Sequence, residues 1–549
     1  MNDASLPSRS AQPEATGPFN LGLESDDERE WNEPEETQDP ERAMCDDVNG
    51  LSLRLHHRSY MGLSSTQAIL RTILRLKPSI QADLRNDATN NWGMTSPSAY
   101  SFGTPSVQEF PNLVPAIDEQ RSIDEYFEQL HAVLPVLDEA EFRLQWQRGN
   151  RTDRPWLALL NMVLTLGSLA AGDADDHSHD IYYMRAKTYL DFELLGTGCT
   201  ESVQALCLLG GCYLHYKNSP NMGYALMGAA FRIAVALGLH REPVSNNKIP
   251  GDHGTRRKIW WALFCADAWG SMTLGRTTLG RWNPETMNIC SLSDLEKKDA
   301  VVRSLDCSRE FCLIATRVQH RFAQFQPLTT YEVNDYDLEV VNWYQGLPPE
   351  FSGPGACPAR LVSSIYVMHN RYFNLRLLLF RPFLLSYANR RITLGSLPQD
   401  EQDAIQKCLD IACQAIDQIF STSAILTRIR VWSAAWFLYQ ASIVLILGAI
   451  VDPDHTGAVR WRNHIEMALE LFERMAPWSR AATRSKHVVA RIYETCAVAP
   501  SAPSDVPNIE FDMTIYHELG LDMFREGWHW DMANWSDGGI YPEWTGELL

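Results

Sequence analysis

The stretch Gly223-Tyr-Ala-Leu-Met-Gly-Ala-Ala-Phe-Arg-Ile-Ala-Val-Ala-Leu-Gly-Leu-His-Arg241 and its continuation decide the fold. The continuation, across a polar loop, is Arg256-Arg-Lys-Ile-Trp-Trp-Ala-Leu-Phe-Cys-Ala-Asp-Ala-Trp-Gly-Ser-Met-Thr-Leu-Gly-Arg276. The first half is a helix crowded with small residues, Gly223, Ala225, Gly228, Ala229 and Ala230, against which neighbouring helices can approach closely. Gly238 suits a left-handed C-cap. In the second half Trp261, Cys265, Ala268 and Met272 recur on one helical face, so the aromatic stripe reads as packing. Asp267 sits mid-helix among apolar groups and needs a partner if buried; Arg276, Arg256 and Arg257 are the candidates. The basic triplet Arg256-Arg257-Lys258 reads as a solvated face or structural pairs before it reads as an import signal.

Working outward, the same helical periodicity continues. Ile69, Ile73 and Leu76, widened by Leu70 and Leu74, predict a short helix that Ser64 or Ser65 caps and Pro78 ends. Ser122 is placed as the cap of a helix carrying Ile123, Tyr126, Phe127, Leu130 and Val133, stopped by Pro135. Trp156 to Ala171 is an apolar run with Gly167 inside it. Tyr189 to Leu195, Val203 to Tyr213 and Tyr224 to Leu237 follow as further helical stretches. Alternating strand patterns are few in this region and no Asn-Gly or Asp-Gly hairpin lies between them, which predicts an all-α fold. Ser433 to Val451 carries no charge and is long enough to span a bilayer, but Ser433, Gln440 and Ser442 interrupt it, so it reads as a central core helix rather than a membrane span.

The expected organisation is an acidic disordered arm over 1–57, a short helical segment over 58–81, a polar linker over 82–117, a helical domain over 118–497, and a linker with an acidic-aromatic tail over 498–549. The arm holds Glu24-Ser-Asp-Asp-Glu-Arg-Glu30 and few large apolar groups, too few to offset the entropy of ordering. The tail alternates Phe511, Tyr516, Phe524, Trp528, Trp530, Trp535, Tyr541 and Trp544 with carboxylates, the pattern of a segment that folds onto a coactivator groove. Residues 1–20 show no apolar signal-peptide core. The formal net charge of −20 repels phosphate and argues against unaided nucleic-acid binding by the bulk of the chain. The 12 cysteines are scattered and read as buried thiols of a reducing compartment.

Enzyme signals are sparse. Gly275 to Gly280 lacks a phosphate-loop lysine, and there is no His-Glu-x-x-His and no nucleophile elbow. The exception is Asp173-Ala-Asp-Asp-His-Ser-His-Asp180, where Asp175, Asp176 and Asp180 echo the aspartate-rich, magnesium-binding box of all-helical terpene cyclases. The competing reading is a solvated loop ahead of a helix that starts near Ile181, whose dipole favours acids there. On the second reading the chain has no catalytic residue, no metal site and no cofactor.

Taken together, Leu237-Gly-Leu-His-Arg241, Arg256-Arg257, Trp260-Trp261, Asp267, Ser271 and Gly275-Arg276 resemble the fungal-specific transcription factor domain, the middle homology region of zinc-cluster activators. Thr277, where the family has proline, and Ala268, where a basic residue is common, depart from the pattern. Flanking matches are Tyr60-Met-Gly-Leu-Ser-Ser65, Leu134-Pro-Val-Leu-Asp138 and Met368 to Arg381-Pro382, the last resembling a late helix that ends in arginine-proline. The resemblance implies a nuclear transcriptional regulator, not an enzyme, that forms homodimers or pairs with a DNA-binding partner and engages a coactivator through its tail. Family members usually open with a six-cysteine zinc cluster; here Cys45 is the only cysteine before Cys199, so direct DNA contact is not expected of this sequence.

Overall fold

The computed structural model describes residues 62–80, 119–196, 198–242, 252–278, 292, 296–324, 326–353, 357–390, 392–423 and 426–497. The acidic arm, the 82–117 linker and the acidic-aromatic tail lie outside them. Among the described residues the structure is helical throughout, with no β-strand.

The early helices are α1 (Thr66–Leu76), α2 (Glu119–Gln129), α3 (Glu139–Arg148), α4 (Arg154–Ala171), α5 (Ser178–Tyr189) and α6 (Phe192–Gly196). α7 (Thr200–Leu208) runs on through a π turn, Leu209–Tyr213, and a last helical turn, Leu214–Tyr216; after a break at Asn218, whose φ is 55°, come α8 (Pro220–Ala236) and α9 (Asp252–Leu274). The later helices are α10 (Ala300–Phe322), α11 (Thr330–Gln345), α12 (Val362–Arg390), α13 (Gln399–Thr422), α14 (Arg428–Val451), α15 (Ala458–Met475) and α16 (Arg480–Ala497). α4 packs against α2, α5 and α7; α8 and α10 pack against α9; α12, α13, α15 and α16 surround α14. One continuous apolar core joins all of these.

Local chemistry explains the boundaries. Asp138 accepts the Glu141 N–H at 3.1 Å to cap α3, and Asp153 accepts the Trp156 N–H at 3.2 Å to cap α4 with Pro155 in its first turn. A capping box of Thr329 and Glu332 opens α11. Gly167 decides how close α2 and α4 come: a Cβ there would lie 1.7 Å from the Ser122 carbonyl oxygen. α14 is buried on all sides, which explains its uniform apolarity; the 18-residue windows of α14 and α4 that are apolar enough to cross a membrane are 78% and 72% buried.

Four boundary expectations are corrected. Ser122 is buried inside α2 and is not its cap. Ser65 occupies the α1 cap position without a side-chain bond, while Ser64 Oγ bonds elsewhere. The chain breaks at Leu190, so Tyr189 and Leu195 belong to different helices. Pro382 does not end α12, which continues to Arg390. An interior proline leaves the Leu378 carbonyl without its helical donor, a cost of about 3 kcal/mol. The surrounding segment offsets it, since every residue from Leu377 to Ala388 is buried.

Candidate functional site

The α8–α9 signature is held together by caps and crossings. Gly238 takes a φ of 68°, and the Leu239 N–H reaches back to the Ala234 carbonyl at 2.9 Å. The Arg256 guanidinium, one turn into α9, donates to the Leu237 and Gly238 carbonyls at 3.2 and 2.9 Å and fastens the end of α8 to α9. Arg257 binds Glu242 through two bonds of 2.6 and 3.1 Å, and Lys258 lies 3.6 Å from Asp138. The basic triplet is therefore made of structural pairs.

Trp260 and Trp261 are both buried and face different partners. Trp260 meets Phe231 edge-on at 5.7 Å and His240 at 6.0 Å; Trp261 meets Phe264 at 5.6 Å and lies 5.3 Å from the Arg309 guanidinium. The expected stripe of Trp261, Cys265, Ala268 and Met272 is buried throughout. Past the helix, Gly275 adopts a φ of 70° and the Arg276 N–H returns to the Ser271 carbonyl at 3.0 Å. Arg276 donates to Asn221 Oδ1 at 2.6 Å and covers the Tyr224 ring, whose hydroxyl donates to the Thr277 carbonyl at 3.0 Å. Burial raises the Tyr224 pKa, and the nearby Asp267 charge adds to the shift while Arg276 opposes it. Asp267 and Arg276 thus flank one tyrosine. Of the small residues of α8, Gly223 and Ala230 are buried as expected, whereas Ala225 is exposed.

The acidic cluster does not converge. Asp173 Oδ1 accepts the Asp175 and Asp176 N–H groups at 3.0 and 3.2 Å, which shapes a turn. Asp175 is 89% exposed and lies 3.3 Å from Arg480. Asp176 Oδ1 accepts from the Ser178 N–H and hydroxyl at 2.8 and 2.6 Å. Burial raises the Asp176 pKa, but the Ser178 bonds and the Arg428 charge outweigh it and hold the carboxyl low. α5 starts at Ser178, so Asp180 lies in its first turn rather than ahead of it.

His177, His179 and Asp180 do bring three ligand atoms within 4.8 Å of one another. The Lys217 ammonium, however, sits 3.0 Å from Asp180 Oδ1, and Arg428 donates to His179 Nε2 at 3.2 Å. Two cations, Lys217 and Arg428, thus lie against the cluster. Because Arg428 can only donate, His179 Nε2 accepts and its Nδ1 carries the proton, donated to Tyr213 Oη at 2.9 Å. Tyr213 in turn donates to Asp180 Oδ1 at 3.3 Å. Burial, reinforced by Arg428 and Lys217, drives the His179 pKa well below the usual histidine range, although Asp180 opposes it. The cluster is a polar plug that ties α5 and the π turn to the start of α14.

Residues 123–308 match the family described as the fungal specific transcription factor domain. Over that stretch the chain is similar to the domain. It is 35% identical over 159 residues to the lactose regulatory protein of Kluyveromyces lactis, covering 29% of this chain and 18% of that protein. It is 26% identical over 272 residues to the acetamidase regulatory protein of Emericella nidulans, covering 47% and 33%. It is 22% identical over 414 residues to the fusaridione A cluster transcription factor of Fusarium heterosporum, covering 70% and 78%. The chain thus spans a third or less of the first two relatives. The domain supports a transcription factor and corrects the terpene-cyclase alternative. The geometry agrees with that correction: Asp175, Asp176 and Asp180 point to Arg480, Ser178 and Lys217.

Sequence reasoning missed the roles of two buried arginines in the later helices, Arg381 and Arg428. Arg381 donates to Gln440 Oε1 at 3.0 Å and to the Leu63 and Ser65 carbonyls at 2.7 and 2.9 Å. The signal was Gln440 inside an otherwise apolar run, because a buried amide needs a partner.

Proposed function

We propose that the protein is a fungal transcriptional regulator of a metabolic or secondary-metabolite pathway, working through its helical domain as a regulatory and dimerisation platform. The observation that carries this reading is the use made of the signature residues. Gly238, Arg256, Trp260, Trp261, Gly275 and Arg276 cap helices and lock crossings, and none faces a reaction centre among the described residues. The named relatives are a lactose regulatory protein, an acetamidase regulatory protein and a fusaridione A cluster transcription factor, which supports the class of pathway.

On this reading the protein resides in the nucleus and reaches its promoters as a homodimer or with a DNA-binding transcription factor partner. The net charge of −20 favours the partner route over DNA contact by this stretch of chain. The segment 498–549, with its aromatics among carboxylates, is the surface offered to a coactivator. The test is to fuse the full chain, and separately residues 498–549, to an unrelated DNA-binding module and to read a reporter gene. Activation or repression by the full chain supports the reading, and activation by 498–549 supports the coactivator role. A fusion that enters the nucleus, binds the promoter and leaves the reporter unchanged overturns it.

A further inference from the structure

Residues 62–80 contact positions more than 200 residues away. The Gly62 N–H donates to the Leu274 carbonyl at 3.1 Å, and Ser64 Oγ donates to the Met272 carbonyl at 2.7 Å and to Gln319 Oε1 at 3.1 Å. The Arg381 guanidinium holds the Leu63 and Ser65 carbonyls, and Gln440 bonds Thr66 Oγ1. A Cβ on Gly62 would lie 2.1 Å from the Gly275 carbonyl oxygen, and one on Gly275 would lie 2.5 Å from the Gly62 Cα, so the two backbones touch. From Ser64 to Leu70 every residue is buried, four of them polar.

A segment held only by apolar contacts would be ordinary core. This one is also read by hydrogen bonds to its main-chain carbonyls and to its serine and threonine hydroxyls. Its receptor comes from four helices: the end of α9, Gln319 of α10, Arg381 of α12 and Gln440 of α14. α12 and α14 also pack on each other, so two walls of the crevice are joined without the segment's help. Empty, it would cost the Arg381 guanidinium its Leu63 and Ser65 carbonyl acceptors, leaving Gln440 and entering water to satisfy it. The crevice therefore matches an occupant with this backbone path and these hydroxyls.

We propose that this crevice is a peptide-docking site whose ligand is the chain's own Gly-Leu-Ser-Ser-Thr segment, and that docking couples the N-terminal part of the chain to the regulatory domain. Gly275 of the signature serves as the floor that admits Gly62. The docking claim stands on geometry alone; its regulatory consequence rests on the function proposed above.

The experiment uses the full-length chain as wild type, Gly62→Ala, Ser64→Ala and the control Gly395→Ala, whose added Cβ meets nothing within 4 Å. Timed trypsin cleavage after Arg71 and Arg75 reads docking, hydrogen exchange of residues 123–497 reads the body, and a reporter reads output. The expected result is cleavage accelerated about ten- to a hundred-fold in Gly62→Ala and less in Ser64→Ala, with body exchange and the control unchanged. Reporter output should shift several-fold at equal protein level.

Cleavage as slow as in wild type for both variants overturns docking. Body exchange rising together with cleavage overturns a separable dock and leaves an ordinary core helix. Cross-protection between mixed tagged and untagged copies overturns docking within one chain in favour of exchange with a second copy. A reporter that responds equally to wild type and released variants overturns the coupling, whereas a reporter that ignores wild type as well defeats the transcription reading and leaves the dock standing.

Discussion

Gly167→Ala is the sharpest test of the packing between α2 and α4. Two effects oppose each other. Alanine in a helix interior is favoured over glycine by about 1 kcal/mol, so on an open helix the change would stabilise. Here the new Cβ would lie 1.7 Å from the Ser122 carbonyl oxygen, 2.5 Å from its carbonyl carbon and 3.1 Å from its Cα. All three are backbone atoms, so no side-chain rotation relieves the contact. The helices must separate by about 1.5 Å to restore an ordinary contact, and that opens the layer containing Ile123, Tyr126 and Phe127. Overpacking of this kind costs about 1–3 kcal/mol and more where backbone must move; we take the upper end, leaving about 2 kcal/mol of net destabilisation. Urea denaturation of the full chain followed by circular dichroism measures it, as a fall in midpoint at unchanged slope. Gly149→Ala is not a fair control, because its φ of 60° strains any side chain; Gly395→Ala is. A Gly167→Ala protein as stable as wild type, or more stable, would refute the close approach of α2 to α4.

Trp261→Ala, which empties a fully buried indole site beside Phe264 and Arg309, should cost about 3–5 kcal/mol in the same assay, whereas Asp175→Asn should change neither stability by more than about 0.5 kcal/mol nor reporter output. Stability should fall with acid below the histidine range. Burial lowers the His131 pKa to about 4, so the unfolded chain takes up that proton near pH 6.5 and the folded chain does not. His131 therefore contributes fully above pH 6.5 and loses its contribution as pH falls towards 4, at about 1 kcal/mol per pH unit between pH 6 and 5. His131→Gln should flatten that slope, measured by denaturation at several pH values. Zinc added at micromolar concentration should leave the melting temperature unchanged, because Lys217 and Arg428 already occupy the polar face of His179 and Asp180; a clear rise would reopen the metal reading.

The helical class was legible because periodicity and the lack of strand signals agree over the whole region from Ile123 to Val451. Gly238 as a left-handed cap and the buried stripe from Trp261 to Met272 could also be read directly, since both follow from local geometry. What escaped was set by distant partners. Ser122 looks like a cap in sequence, yet α2 already includes Glu119, because the serine is buried where its carbonyl meets Gly167. Pro382 looks like a terminator, yet the apolar surroundings of α12 carry the helix past it. Arg381 and Arg428 look like ordinary charges until the fold brings carbonyls to one and a tyrosine and a histidine to the other.

The same contrast says where function is to be sought. The signature is built from residues whose demands are geometric: a glycine at positive φ, an arginine across a helix end, two adjacent tryptophans that pack against different partners. Such demands are shared by any chain that keeps this crossing of α8 and α9, whichever genes it serves. They specify a platform and leave its output open. Output must then enter through segments that the platform can hold or release, and the described structure contains one, the strap running from Gly62 into α1. It is bound by hydroxyls, carbonyls and a buried guanidinium, interactions that lose their worth together once the segment shifts by about a bond length. A contact made this way favours being fully docked or fully released over graded intermediate positions, which is the behaviour a regulatory connection requires.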